Sequence, residues 1–182
     1  DDNIAIGKST LASITSGGAQ NVAIGTNAMT NASGENTDGN VVIGYNAGDA
    51  FGANNIYGTV LIGRNAGGSI NAGDAAGTIA IGYNAGVSIT SGQYNTIIGY
   101  QAGDAMTTTD ASTIIGYQAG SAITATGETG STLVGKNAGK ALTSGGNNTA
   151  IGRNALQTQT TGGSNVAIGD QAMQYTPAST AI

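Results

Sequence analysis

The chain contains no cysteine, histidine or tryptophan, and it has only one proline and one phenylalanine among its 182 residues. Without Cys and His there are no disulfides, no zinc sites built on these residues, no iron–sulfur clusters and no Ser-His-Asp or Cys-His catalytic arrangements. Charged residues make up 8% of the chain, and the net charge is −5. Because a basic stripe is the expected footprint of a nucleic-acid partner, the composition argues against one.

Motifs for metals and for catalysis are also missing. No apolar run approaches the ~20 residues that span a bilayer. Asp49 and Asp104 occupy the same position in different repeats, but strand spacing would put them ~14 Å apart, too far for a glycosidase carboxylate pair. The calcium-binding repeat G-G-x-G-x-D is absent. We therefore expect no metal, no cofactor and no enzymatic activity.

What the chain has in abundance is glycine, with 32 residues, and the glycines mark an internal repeat. Ten copies of one unit follow each other at steps of 17–19 residues. Their central glycines are Gly7, Gly25, Gly44, Gly63, Gly82, Gly99, Gly116, Gly135, Gly152 and Gly169. A regular repeat of this length is typical of solenoids, in which each unit buries its surface against its neighbours.

Each copy carries a three-residue apolar segment directly before its central glycine. The first and third residues are β-branched throughout, as in Val41 and Ile43, and this favours a strand. The middle residue is apolar as well: Ala5, Ala23, Val42, Leu61, Ala80, Ile97, Ile114, Leu133, Ala150 and Ala167. Because strand side chains alternate between faces, both faces of this sheet are apolar and both need cover.

The two apolar faces therefore predict an assembly of chains. We expect Val41 and Ile43 to face the interior of the coil, and Val42 with its column to face a neighbouring identical chain. A further apolar column seven residues after the glycine, which includes Phe51 and Ile70, predicts a second, shorter strand. Clusters of Gly, Ser, Asn and Thr end each copy and predict loops.

These observations predict an all-β fold, a parallel β-solenoid of ten coils of 17–19 residues. Residues 1–182 form a single repeat array without a linker or second domain. Residues 179–182 match the start of an eleventh copy. We therefore expect the chain to be a slice of a longer fibre, stacked on itself and on identical chains.

Two polar columns after the glycine are candidate functional positions. The column two residues on holds amides, which suit turns and could form a structural ladder along the axis. Its members are Asn27, Asn46, Asn65, Asn84, Gln101, Gln118, Asn137, Asn154 and Gln171. The column one residue on is large and polar, which predicts an exposed stripe that could bind a glycan. Its candidate ligand-binding members are Tyr45, Arg64, Tyr83, Tyr100, Tyr117, Lys136 and Arg153.

The unit N-x-x-I-G-x-x-A, as in NVAIG at residues 21–25 and NTAIG at residues 148–152, resembles the head repeat of trimeric autotransporter adhesins of the YadA type. It is similar also to repeat arrays of phage tail fibres. The resemblance implies a left-handed parallel β-roll, a homotrimer around one axis, and a rigid extracellular fibre or adhesive head. It implies a location on a cell surface or a virion tail, and a cell-surface receptor such as a glycan as partner.

Two alternatives remain open beside this interpretation. A left-handed β-helix of hexapeptide type fits one hexapeptide per coil, but steps of 17 and 19 residues break its count. An ice-binding solenoid would use the aligned Thr96, Thr113, Thr132 and Thr149. We expect these threonines to point inward with the aliphatic column, which argues against ice binding. A structural or adhesive fibre is the favoured function, and a glycan-binding module is the alternative.

Overall fold

The structure, a computed structural model, describes residues 2–14, 18–71, 76–124 and 130–175. Each repeat contributes one three-residue strand, and the ten strands form a single parallel sheet in chain order. They are β1 (Ile4–Ile6), β2 (Val22–Ile24), β3 (Val41–Ile43), β4 (Val60–Ile62), β5 (Ile79–Ile81), β6 (Thr96–Ile98), β7 (Thr113–Ile115), β8 (Thr132–Val134), β9 (Thr149–Ile151) and β10 (Val166–Ile168).

The chain winds as a β-solenoid of about eight turns, and its described residues contain no helix. The prediction of an all-β parallel solenoid is confirmed in this form, with ten strands but fewer complete turns than the ten coils predicted. Residues 179–182, which were expected to begin an eleventh copy, lie outside the described residues.

The register between coils follows the repeat without a shift. Val42 pairs with Leu61, and Leu61 pairs with Ala80, so each strand position lies beside the same position of the next coil. The turn that follows the strand is bonded to both neighbouring coils: the Asn46 amide donates to the Thr26 carbonyl (3.1 Å) and the Gly48 amide donates to the Ala66 carbonyl (3.1 Å). Strand and turn therefore form one continuous hydrogen-bonded ladder along the axis.

The central glycines are required by their backbone conformation and by close packing. Their φ angles lie between +124° and +140°, a region that L-residues rarely adopt. A Cβ atom on Gly63 would lie 2.5 Å from the carbonyl oxygen of Gly82 in the next coil. Since the nearest atoms belong to the backbone of Gly82, no side-chain movement would make room for a Cβ atom on Gly63.

The orientation of the sheet is the reverse of the one expected from the sequence. In β2 to β8 the middle residue is buried and its two neighbours are half-exposed, and Val42 itself is 0% exposed within one chain. The turn after the glycine folds back over the middle column. Ala47 and its equivalents in this turn are therefore buried together with the middle column. The prediction that the Val42 column needs a partner is wrong; Val41 and Ile43 lie on the outward face.

The interior of the coil shows a compensation of side-chain size between two columns. Inner coils have glycine four residues after the central glycine, and a Cβ there would meet the middle column; on Gly48 it would lie 3.0 Å from Leu61 Cδ1. The outer coils replace this glycine by Leu or Met, as in Met29 and Leu156, and there the middle residue is always Ala. No coil places a large side chain in both columns, as a narrow, close-packed interior requires; the coil of β5, with Ala80 and Gly86, has a small residue in each.

The apolar column seven residues after the glycine lies in the same interior, but it forms no strand in the ranges that the structure describes. Phe51, Ile70 and Ile89 are buried, and they follow a tight turn in which the Ile70 amide donates to the Gly67 carbonyl (3.2 Å). The prediction of a second strand is therefore wrong. An apolar residue that recurs once per coil indicates a buried position, but it does not indicate a strand. Here a turn places this residue in the interior.

Candidate functional site

The residues that directly follow the central glycines form an exposed row along the solenoid, which we call the tyrosine–cation stripe. The stripe consists of Tyr45, Arg64, Tyr83, Tyr100, Tyr117, Lys136 and Arg153, all of them exposed. Because each member occupies the same place in its coil, the parallel register stacks their side chains at the strand spacing of about 4.8 Å. The structure thus brings the predicted candidate residues together in one line.

Three tyrosines of the stripe stack face to face. The ring centroids of Tyr83 and Tyr100 lie 5.1 Å apart with an interplanar angle of 11°. Those of Tyr100 and Tyr117 lie 5.4 Å apart at 8°. Stacked aromatic pairs contribute about 0.5–1.5 kcal/mol beyond the area that they bury, so this row stiffens the turn that carries it.

Two cations flank the three stacked tyrosines. The guanidinium carbon of Arg64 lies 5.3 Å from the ring centroid of Tyr45 and 6.0 Å from that of Tyr83. The Nζ atom of Lys136 lies 5.9 Å from the ring centroid of Tyr117. The sequence therefore placed Arg64 correctly between two tyrosines, and the row from Tyr45 to Lys136 is one uninterrupted stack.

The stack decides which parts of the rings a ligand could touch. The faces of Tyr83, Tyr100 and Tyr117 lie against each other or against a cation, whereas 39–47% of each tyrosine is exposed. No phenol hydroxyl of these three residues has a hydrogen-bond partner within the described residues. The stripe therefore presents ring edges, hydroxyl groups and cations to the solvent. Glycan binding at the stripe stays a prediction.

Arg153 differs from the other cations because an acid neutralises it. Its Nε and an Nη atom donate to the two carboxylate oxygens of Asp170 in the next coil, at 2.9 and 2.8 Å. The hydrogen bond and the opposite charge raise the pKa of Arg153 and lower that of Asp170. Both side chains are more than half exposed, so the pair adds little to stability but removes the net charge at this end of the stripe.

The predicted amide ladder forms pairs rather than a continuous chain. All nine residues have left-handed φ angles between 51° and 58°. Four side-chain bonds join eight of them: Asn27 to Asn46 (3.0 Å), Asn65 to Asn84 (2.9 Å), Gln118 to Gln101 (3.0 Å) and Asn137 to Asn154 (3.1 Å). Gln171 forms no such side-chain bond with another residue that the structure describes. The turn conformation is thus common to the whole column, but the side-chain ladder is interrupted.

The direction of the amide bonds reverses between two coils. Gln118 donates backward to Gln101, whereas Asn137 donates forward to Asn154, so the side-chain oxygens of Gln118 and Asn137 have no amide donor. The ammonium group of Lys140 donates to Gln118 Oε1 at 2.9 Å, while the buried Oδ1 of Asn137 has no partner in the described chain. Lys140 therefore supplies a donor where the bonds diverge between Gln118 and Asn137. The direction also changes between Asn84 and Gln101, whose side-chain oxygens both accept.

A second polar column, which the sequence analysis missed, forms the more deeply buried ladder. It lies directly before each strand, and Asn21, Asn40 and Asn148 are 0% exposed. Asn40 Nδ2 donates to Asn21 Oδ1 (3.0 Å) and to the Ile56 carbonyl (2.8 Å), and Asn40 Oδ1 accepts from the Thr59 amide (3.0 Å). Through Asn40, these bonds tie the loop at Ile56 to the starts of β2, β3 and β4.

The signal for this buried ladder was present in the repeat. All ten copies carry Asn, Thr or Ser immediately before the strand, and no copy carries a charged or apolar residue there. A column restricted to small hydrogen-bonding residues indicates buried polar groups that need partners.

No group of three or more Asp or Glu residues is close enough to hold a metal ion in the part of the chain that the structure covers. Asp49 and Asp104 are half-buried, and desolvation raises the pKa of each carboxyl, partly opposed by hydrogen bonds from the backbone. Asp104 Oδ1 is buried and has no hydrogen-bond partner in the same residues.

We expect Asp104→Asn to stabilise the chain at neutral pH. Because the pKa of Asp104 is higher in the folded than in the unfolded chain, ionisation favours unfolding as the pH rises above the unfolded value of 3.8. The thermal midpoint should rise by roughly 1–3 °C at neutral pH, an amount reduced by solvent screening, and should match the parent at about pH 3. Calorimetry at both pH values measures this difference.

Asp110→Asn is the matched control for this experiment. Its Oδ1 accepts a hydrogen bond from the Gln93 amide at 2.7 Å, so its replacement should lower the midpoint at neutral pH. A lower midpoint for Asp104→Asn at neutral pH, or the same increase at both pH values, would contradict the assignment of Asp104 as a destabilising carboxylate.

Comparison of the chain with protein-family models, with curated proteins and with solved structures finds no match. None of the described segments forms a helix with the length and apolarity needed to cross a membrane.

Proposed function

We propose that the chain is a structural and adhesive segment of an extracellular fibre, with three identical chains around one axis. The observation that carries the proposal is the outward face of the sheet. It consists of two β-branched columns, those of Val41 and Ile43, that remain half-exposed in the inner coils. Over ten strands this face extends roughly 43 Å at the usual strand spacing, and it is aliphatic except for the threonines that begin β6 to β9.

An uncovered apolar face of this length marks an interaction surface. The number of three chains comes from the resemblance of the repeat to YadA-type heads. A head-to-tail interface that closes as a ring is compatible with a uniform face along the axis. The ladder of strands and turns makes each chain a rigid element, which suits a spacer on a cell surface or a virion tail that presents an attachment surface.

Native mass spectrometry and light scattering of the chain test the proposal. A mass three times the 17.6 kDa of one chain is expected. Ile98→Glu places like charges on the outward face and should yield single folded chains, since Ile98 is half-exposed and its loss leaves the coil interior intact. Tyr94→Glu, at a residue 62% exposed and outside the sheet, is the control and should keep the parent mass. A folded single chain at micromolar concentration would overturn the trimer.

Ice binding is a second candidate because one observation now favours it. Thr96, Thr113, Thr132 and Thr149 lie on the outward face and are half-exposed, so the prediction that they point inward is wrong. They form a regular row of hydroxyl groups on the face that the trimer would cover, and the two uses of this face exclude each other. Thermal hysteresis of a monomeric protein would favour ice binding, and its absence together with a trimer mass would favour the fibre.

A further inference from the structure

The tyrosine–cation stripe is a surface feature that the fibre proposal does not use. The ring faces of its inner tyrosines, Tyr83, Tyr100 and Tyr117, lie against another ring or a cation. An aromatic ring carries partial negative charge on its face and partial positive charge on its edge. The exposed surface of the stack therefore consists of positive ring edges and hydroxyl donors, and it attracts negative groups.

The two charges that flank the three stacked tyrosines have the same sign. Arg64 and Lys136 are exposed, and neither forms an ion pair in the described part of the chain, where Arg153 and Asp170 are the pair found. Four coil steps separate Arg64 from Lys136, about 19 Å at the usual strand spacing. A row of donors bracketed by two unpaired cations thus lies on a chain whose net charge is −5.

We propose that the tyrosine–cation stripe binds a linear acidic polysaccharide along the solenoid axis. Carboxylate or sulfate groups would contact Arg64 and Lys136, and sugar oxygens would accept hydrogen bonds from the hydroxyl groups of Tyr83, Tyr100 and Tyr117. The proposal deepens the adhesive part of the proposed function, and it requires only that the stripe lies outside the contact between chains. It does not depend on how many chains assemble.

Two other ligand classes fit this geometry less well. A neutral sugar that stacks on aromatic rings needs free ring faces, and the inner tyrosines have none. Single-stranded nucleic acids also stack their bases on aromatic faces and require a strongly basic groove. The acidic polysaccharide uses the edges, the hydroxyl groups and the cations, which are what the stripe exposes.

Binding of the full chain to immobilised polymers tests the proposal. Polygalacturonate and heparin represent carboxylated and sulfated chains, dextran represents a neutral chain, and oligo-dT represents nucleic acid. We expect binding to one or both acidic polymers, no binding to dextran, and weaker binding as the salt concentration rises. The double variant Arg64→Gln/Lys136→Gln should bind about four- to twentyfold more weakly, from two exposed charge contacts.

The Arg153–Asp170 pair supplies matched variants within the same stripe. Asp170→Asn frees a third cation and should strengthen binding by about two- to fivefold. Arg153→Gln/Asp170→Asn removes both charges and should bind like the parent. The triple variant Tyr83→Phe/Tyr100→Phe/Tyr117→Phe keeps the stack but removes the hydroxyl groups, and it should bind more weakly with an unchanged thermal midpoint.

Several results would overturn the proposal. The first is that the chain binds neither acidic polymer at low salt, and the second is that Arg64→Gln/Lys136→Gln binds as tightly as the parent. The others are that the chain binds dextran as tightly as the acidic polymers, or that it binds oligo-dT more tightly than both acidic polysaccharides. The last result would point to a nucleic acid instead. The native mass of the same samples shows separately whether the fibre proposal holds, so failure of one proposal does not imply failure of the other.

Discussion

Gly63→Ala is expected to cost about 3–5 kcal/mol, a large part of the 5–15 kcal/mol that stabilises a typical domain. The new Cβ would lie 2.5 Å from the Gly82 carbonyl oxygen, and the φ angle of +131° is unfavourable for alanine. Because each central glycine packs on the next, a shift of one coil would be passed to its neighbours. Urea unfolding followed by circular dichroism measures the loss.

Gly58→Ala separates the backbone cost from the steric cost. Gly58 has a φ angle of +64°, and a Cβ at this position would meet nothing within 4 Å. Its replacement should cost only about 1–2 kcal/mol, the penalty of an L-residue in the left-handed region. If Gly63→Ala is no more destabilising than Gly58→Ala, the close stacking of the central glycines is not what holds the coils at this spacing.

The adjacent residues Ile97 and Ile98 are expected to respond differently to truncation. Ile97→Ala should destabilise the chain by about 2–5 kcal/mol, because Ile97 is 0% exposed and packs in the coil interior near Gly86 and Gly103. Ile98→Ala should cost a single chain about 1 kcal/mol or less, since this side chain is half-exposed on the outward face. Its main effect should be dissociation of the assembly on dilution.

Urea unfolding combined with light scattering over a dilution series distinguishes the two effects. Ile97→Ala should lower the urea concentration at the unfolding midpoint. Ile98→Ala should instead raise the protein concentration below which the assembly dissociates and the mass falls. The neighbouring pair Ile114 and Ile115 repeats the comparison one coil further along. Equal losses of single-chain stability for Ile97→Ala and Ile98→Ala would contradict the orientation of the sheet.

Much of the fold could be predicted from the sequence because the ten repeats can be aligned with each other. The alignment shows which positions of the coils are equivalent. Ten β-branched segments before ten glycines specified the strands, their register and the outward stripe. What the strand alternation could not specify was which face lies inside the coil, because both faces are apolar. Alternation shows that two faces exist, and it does not show on which side the turn folds back.

The side-chain sizes contained the missing information. Wherever Leu or Met follows the central glycine by four residues, as in Met29 and Leu156, the middle strand residue is Ala. Two columns whose sizes compensate each other must share a confined space, so the middle column belongs inside. The stripe was predicted as a row, but the contact of ring faces depends on side-chain rotamers that spacing does not specify. The pairing of Arg153 with Asp170 depends on them in the same way.

The unshifted register between coils has a consequence for how such a chain changes over generations. Every strand meets its neighbour at equivalent positions, as Val60 meets Ile79 and Ile79 meets Thr96. If recombination between repeats in the gene removed one unit of 17 residues, such as residues 83–99, β5 would meet the strand of the next remaining unit at the same positions. Length is therefore a property that selection can adjust in whole units, with the packing of the remaining coils preserved.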